Sequence, residues 1–341
     1  MLDVLPKVVL SCRVFPETLS LFEGKCDVVA NQTDDALTPQ SLRQRCADAE
    51  ALMAFMPDSI DASFLENCPR LRIVGCALKG FDNFDVEACT RRQVWVSIVP
   101  DLLTEPTAEL AIGLTIGVSR NLPMGDRLVR NGFDGWRPVL YGTGLSGSSV
   151  GILGMGAVGQ AIARRLQGFS VELFYHDTQV PDPDTEAGLA VTRLDAGALA
   201  AGSDFLIVAV PLNPSTRGMI DAEFLRGMKR GAYLINPARG SVVNEEDIAD
   251  ALDSGSLAGY AADVYEFEDW ALADRPREIP DRLLQNRERT LFTPHIGSAV
   301  SDVRRAIERD AAQNILEALA GKTPHGAINS PAASLGAAPA D

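Results

Sequence analysis

VGILGMGAVGQAIARRLQG, residues 150–168, begins as an apolar, β-branched run and ends as a helical pattern, with Gly154, Gly156 and Gly159 in GxGxxG spacing at the join. A strand, turn and helix of this kind can receive a pyrophosphate. Gly154 permits the tight turn and Gly156 lets the backbone approach the phosphates. Gly159 lets helix and strand pack closely, and the helix N-terminus points its amides at the anion. Glycine-rich turns are common, so the three glycines alone decide little. The next strand-like run, residues 171–177, ends in Asp177, eighteen positions after Gly159. That is close to the roughly 20 expected of the acid that binds the adenosine ribose. Its carboxylate would repel a 2′-phosphate, and Thr178, Gln179 and Val180 behind it supply no arginine, so NAD is expected over NADP.

The same alternation repeats on both sides of this fingerprint. Apolar runs fall at residues 7–14, 26–31, 51–56, 71–77 and 94–99, and again at 148–154, 171–177, 204–210, 232–238, 257–265 and 290–297, with helix-compatible stretches between them. Strands alternating with helices imply parallel sheets, and 341 residues exceed what one core usually organises. The expected fold is α/β, with two doubly wound, Rossmann-like domains. Pro100 and Asp101, then a helix start in which Pro106 suits the first turn, mark a crossover near residue 100. From residue 298 a long pattern with apolar residues at helical spacing returns to the first sheet. The substrate domain is therefore expected to be discontinuous, residues 1–100 plus 298–328, around an NAD-binding domain at 101–297. A closing motion would hinge at the two crossings. Residues 329–341, rich in Ala, Pro, Ser and Gly, read as a disordered tail.

Bulk properties exclude several partners. A formal net charge of −15, with no compensating basic stripe, argues against nucleic acid. Apolar runs are broken well short of a bilayer span, and the N-terminal stretch resembles a first strand rather than a signal peptide, so a cytoplasmic protein is expected. All six cysteines lie in the first 90 residues without metal-ligand spacing. They read as reduced, small core hydrophobes, and no metal is expected.

Three further segments each follow an apolar strand: NPARGSVVNEEDIADAL (236–252) with Arg239, AADVYEFEDW (261–270) with Glu268, and TPHIGS (293–298) with His295. Residues just beyond the carboxyl ends of parallel strands line the ligand crevice, so the three can converge. A guanidinium can hold an anionic substrate by two parallel bonds, an imidazole can move a proton, and a carboxylate can orient the imidazole. In these motifs and in this order the chain resembles the D-2-hydroxyacid dehydrogenase family over nearly its whole length. That resemblance implies Arg239, Glu268 and His295 as catalytic residues. The family usually has proline after the acid, where this chain has Asp269, and Glu266 lies two positions upstream, so the register of Glu268 rests on its spacing from Asp263.

The resemblance also implies that Thr107, Ala157, Val158, Pro211, Leu212, Asn236, Pro237, Ala238, Asp263, His295 and Gly297 contact the dinucleotide, together with the glycine loop and Asp177. It implies a homodimer as well. The segments MAFMPD (53–58), VGCALKGFDNFDV (74–86), VPDLLTEPTAELAIG (99–113), LYGTGL (140–145) and ADVYEFEDWALADRPR (262–277) look more specifically like the phosphite (phosphonate) dehydrogenases of that family. There Lys79 stands where the wider family has a small or apolar residue, and a small oxyanion approaching an acidic protein needs such local cations. Lys79 and Gly80 are thus candidates for substrate and cofactor contact. Met56, Leu103 and Arg304 are candidates for the substrate pocket, although Arg304 lies beside Arg305 and Arg309, which suit a solvated face. Trp136 and Tyr141 match near-pocket positions, Trp136 reaching a neighbouring subunit. The resulting expectation is oxidation of phosphite by NAD, with hydride leaving phosphorus as water adds. The rivals are a glyoxylate or hydroxypyruvate reductase and, more remotely, an NAD-binding regulatory protein similar to the C-terminal-binding-protein corepressors.

Overall fold

A computed structural model describes residues 4–331. The chain divides after Leu103 and after Ser298 into two compact units, the first built from both ends of the chain and the second from the segment between.

The first unit contains β1 (Lys7–Leu10), β2 (Asp27–Ala30), β3 (Ala51–Ala54), β4 (Ile73–Cys76) and β5 (Trp95–Ser97) in the order β2-β1-β3-β4-β5. All neighbours are parallel. β3 and β4 are buried along their whole length, which is why they read as unbroken apolar runs: helices cover both faces of the sheet. The connecting helices start on side-chain caps. Thr38 Oγ1 accepts from Ser41 N at 3.1 Å, Asp61 from Phe64 N at 2.7 Å and Asp85 from Ala88 N at 2.8 Å, each satisfying an amide the helix cannot use. The helix Ser301–Leu319 lays Ile307, Ala311, Ile315 and Ala318 on this core. A Cβ at Gly75 would come 2.6 Å from Ile315 Cγ1, so glycine in β4 is what lets that helix settle. Five of the six cysteines are buried, Cys12 is half-buried, and all are free.

The folded part reaches past residue 328, after which the tail was expected to start. Asn329 belongs to the folded first unit, its side chain accepting from Val96 N at 2.8 Å and donating to Thr90 Oγ1 at 2.9 Å and to Val94 O at 3.0 Å. A single amide side chain that finds three partners at a sheet edge outweighs the composition of the stretch it opens. The remainder of the expected tail, residues 332–341, lies outside the described residues.

The second unit contains β6 (Ser149–Leu153), β7 (Glu172–His176), β8 (Val191–Arg193), β9 (Phe205–Val208), β10 (Ala232–Asn236), β11 (Leu257–Ala262) and β12 (Thr290–Phe292). The order is β12-β11-β10-β9-β6-β7-β8, parallel throughout. The chain runs outward from β6 to β8, then returns past β6 to start β9. β6 and β9 therefore flank a topological switch point, where a doubly wound sheet opens a ligand crevice at its carboxyl end. Two apolar clusters hold this unit, one around Leu206, Leu234, Ile248 and Tyr260, the other around Ile112, Ile152, Ile162 and Ile207.

Candidate active site

Most candidates of the second unit follow the carboxyl end of a strand, whereas Thr107 lies in the helix Thr104–Ser119 that precedes β6. After β6, Gly154 adopts φ +103°, and a Cβ there would stand 2.6 Å from the Ala209 carbonyl, so only glycine fits. A Cβ on Gly159 would come 2.1 Å from the Gly154 carbonyl, which explains how closely the helix Ala157–Leu166 approaches its strand. Gly156 has nothing within 4 Å of the same position. The cradle is thus tight where protein meets protein and open at the helix N-terminus, where a pyrophosphate would sit. At the end of β7, Asp177 Oδ2 accepts from Met155 N at 2.6 Å and Oδ1 from Gln179 N at 2.9 Å, which puts the carboxylate beside the glycine turn. These residues fit an adenine dinucleotide.

One cation near Asp177 escapes a reading of adjacent sequence. Arg193, sixteen residues on at the end of β8, donates from Nη2 to the Asp177 carbonyl at 3.0 Å. The run directly behind Asp177 lacks arginine, but the neighbouring strand brings one.

After β10, Asn236 shapes the next turn, donating to the Arg239 carbonyl at 2.9 Å and accepting from Ala238 N at 3.1 Å. Arg239 is half-buried and extended, with Nη1 on the Ala238 carbonyl at 2.8 Å. A Cβ on Gly240 would lie 1.8 Å from the Tyr265 carbonyl carbon. The backbone following Arg239 therefore rests directly on the backbone leading to Glu268.

After β11 and β12, Asp263 and the His295 loop form one network. Asp263 accepts from Thr293 Oγ1 at 2.6 Å and from the amides of Ile296 and Gly297, each at 2.8 Å. Burial pushes its carboxyl above the ordinary range, while these bonds and His295 pull the other way. His295 adopts φ +54°, an uncommon conformation for a residue with a side chain and one that persists only where its surroundings enforce it. Here the enforcement is visible: His295 N donates to Asp263 O at 2.8 Å. The imidazole Nδ1 lies 2.5 Å from Glu268 Oε2, which leaves Nε2 as the ring nitrogen available to a substrate. Glu266 is engaged elsewhere, accepting from Glu245 N at 2.7 Å. Of the two acids, Glu268 is the one on the histidine.

Asp269 takes a role where the family's usual proline could take none: its carboxylate is buried and accepts from Ser241 N at 2.7 Å. Sequence reading missed Asp269, Glu245 and Tyr265, whose hydroxyl donates to the Thr293 carbonyl at 2.9 Å. The break with the family pattern at Asp269 was the one available signal.

The remaining dinucleotide candidates keep to the same end of the unit. Thr107 lies beside Gly297, where an added Cβ would be 3.3 Å from Thr107 Oγ1. Ala157 and Val158 open the helix after the glycine turn, Pro211 and Leu212 follow β9, and Pro237 and Ala238 follow β10. Trp136 and Tyr141 are 82% and 79% exposed.

In the first unit, Met56 follows β3, and Lys79 and Gly80 follow β4, all half-buried; Leu103 ends the unit. Arg304 corrects the solvated-face alternative. It donates to the Ala77 carbonyl at 3.2 Å, lies 5.7 Å from the Phe55 ring centre and is largely desolvated, whereas Arg305 stacks on Phe15 at the surface. The last helix puts only one of its adjacent arginines against the sheet.

Residues 112–297 match the family described as D-isomer specific 2-hydroxyacid dehydrogenase, NAD binding domain. The chain is 35% identical to a glyoxylate reductase of Pyrococcus furiosus over 332 residues, covering 95% of each protein. It is also 35% identical to human glyoxylate reductase/hydroxypyruvate reductase over 300 residues, 87% of this chain and 89% of the human one. Among solved structures it superposes with TM-score 0.79 and 28% identity on an NADPH-dependent glyoxylate/hydroxypyruvate reductase of Sinorhizobium meliloti in complex with NADP and malonate, over 95% of this chain and 96% of that one.

Proposed function

We propose that this chain, which belongs to the D-isomer specific 2-hydroxyacid dehydrogenase family, uses NAD to interconvert a small 2-oxoacid such as glyoxylate or hydroxypyruvate and its 2-hydroxyacid. The observation that carries this reading is the Glu268 to His295 bond on a strained histidine, set among relatives named for glyoxylate reduction. When bound, the nicotinamide supplies the hydride chemistry that no side chain can. The glycine turn and Asp177 hold the dinucleotide. Arg239 pairs with the substrate carboxylate. In the reducing direction His295 gives a proton from Nε2 to the oxygen that becomes the hydroxyl, and in the oxidising direction it takes that proton back. Glu268 on Nδ1 fixes the ring and stabilises its charge while it is protonated.

A second reading has an observation of its own. Lys79 lies three residues beyond β4, within a segment similar to phosphite dehydrogenases, and Arg304 is anchored on the Ala77 carbonyl just past the same strand. Two cations there suit a compact oxyanion. On phosphite, His295 would take the proton of the water that adds to phosphorus while the P–H hydrogen leaves as hydride. The same residues serve both chemistries, so they do not choose the substrate. The homodimer implied by resemblance would cover the exposed Trp136.

Purified protein assayed by the absorbance of NADH, which the oxidised cofactor lacks, separates the readings. Brisk NADH consumption with glyoxylate supports the first. NADH formation with equimolar phosphate from phosphite, with glyoxylate far slower, replaces it by the second. Activity on neither refutes both.

A further inference from the structure

Glu245 is a buried acid next to the site that the proposed reaction does not use. It opens the helix Glu245–Asp253 and is 1% exposed. Its Oε1 accepts from Glu266 N at 3.1 Å, while Glu266 Oε1 accepts from Glu245 N at 2.7 Å. Each acid thus bonds the other's main chain. Glu245 Oε2 is shielded from solvent and has no hydrogen-bond partner among the described residues. The groups around the pair are almost all acidic or neutral: Glu266, Glu268 and Asp269 from the neighbouring turn, Tyr260 from β11, and Tyr265. Arg217 and Asp247 act on Glu266.

A carboxylate in that setting would be one more negative charge out of water. Burial first, and then the neighbouring acids, push the Glu245 carboxyl up to about 8. It therefore holds its proton at neutral pH. The turn Glu266–Glu268 is pinned at one end by this pair and just beyond its other end by Asp269 on Ser241 N, two residues after Arg239.

We propose that Glu245 is a positioning residue, forming with Glu266 a carboxyl latch that sets Glu268 against His295. Losing the Glu245 proton would place a charge beside three other acids and loosen the turn that carries Glu268. The latch rests on the reading of Glu268 as the group that orients His295.

The test is kcat, KM and NADH affinity by protein fluorescence, from about pH 6 to about pH 9.5, for the wild type, Glu245→Ala, Glu245→Gln and Glu268→Gln. The substrate is whichever of glyoxylate and phosphite turns over faster. Glu245→Ala should lower kcat by ~10-fold while KM and NADH affinity change by less than ~2-fold, because a misplaced orienting group damages the reaction rather than binding. Glu245→Gln, neutral and of the same shape, should restore most of that loss and flatten the fall in kcat above about pH 8. Should Glu245→Ala fail to fold, Glu266→Ala removes the other arm and should give the same split. Wild-type kcat in the alanine variants, or an alkaline fall in Glu245→Gln identical to the wild type, overturns the latch. If Glu268→Gln is impaired while Glu245→Ala is not, the latch alone fails. If Glu268→Gln is fully active, the reading of the site fails and the latch with it.

Discussion

The two units share an architecture and differ in what stands at the carboxyl ends of their strands. In the second unit those ends carry a connected polar network: a left-handed histidine, a buried aspartate with three donors, an imidazole on a carboxylate, and a carboxyl pair beneath it. In the first they carry separate groups. Lys79 is half-buried, Arg304 lies along Phe55, and Asp58 is buried on Ser11 and on Phe55 N. Moving a proton needs groups held within a few tenths of an ångström, and the second unit spends backbone strain and buried charge to hold them. The first unit offers two cations without such a network, Lys79 beyond β4 and Arg304 on the last helix. A parallel sheet therefore fixes where a site lies, and the side chains at its ends fix what the site does.

The division of labour can be broken first at His295. His295→Ala should lower kcat by ~10²–10⁴-fold with NADH affinity retained, measured by steady-state kinetics beside fluorescence titration; full activity would remove the chemistry from the second unit. Lys79→Ala should raise KM for the anion by roughly 10-fold with kcat little changed. An unchanged KM would make the first unit's cation a bystander and take away the observation that favours phosphite. Asp177→Ala should narrow the preference for NAD over NADP by a few-fold, read as the ratio of kcat/KM values. Adding Arg193→Ala should then lower the NADP value, because Arg193 is the cation the structure brings to that strand end.

The remaining effects are on stability. Burial raises the Asp58 carboxyl from 3.8 to about 6 and the Glu245 carboxyl from 4.5 to about 8. In each case the folded protein holds the proton more tightly than the unfolded chain. The stability each contributes is full below its ordinary pKa and is lost as pH rises through the folded value. Tm should therefore fall between about pH 4 and about pH 6 on account of Asp58, and up to about pH 8 on account of Glu245. Asp58→Asn should flatten only the lower window, and Glu245→Gln should flatten the slope that continues above it. A Tm profile that either variant leaves unaltered would show that its carboxyl does not titrate as described.

Much of this was legible because strand ends and glycine turns leave marks in sequence. Eleven of the twelve strands read as apolar runs, since most are covered on both faces. β8 did not, because Val191, Thr192 and Arg193 make a three-residue edge strand with only Val191 half-buried, too short and too polar for any periodicity. That one omission also hid Arg193 from the account of cofactor choice. Gly154 and Gly159 were readable because each meets a backbone carbonyl that admits no side chain. The Glu245 to Glu266 pair was not, because two acids 21 positions apart look like solvated charge until the fold buries one of them. Arg304 was ambiguous for a related reason: three arginines within six positions look alike along a helix, and only the sheet beneath distinguishes them.

The central claim is that His295 and Glu268 work as one proton-handling device. A double-mutant cycle on kcat, with His295→Ala, Glu268→Gln and the two combined, tests it most directly. Residues that act as a unit are strongly non-additive, so the double variant should be about as slow as His295→Ala alone. Losses that multiply, the combined variant falling below His295→Ala by the full factor that Glu268→Gln costs by itself, would show that Glu268 acts independently of the imidazole and would contradict the account.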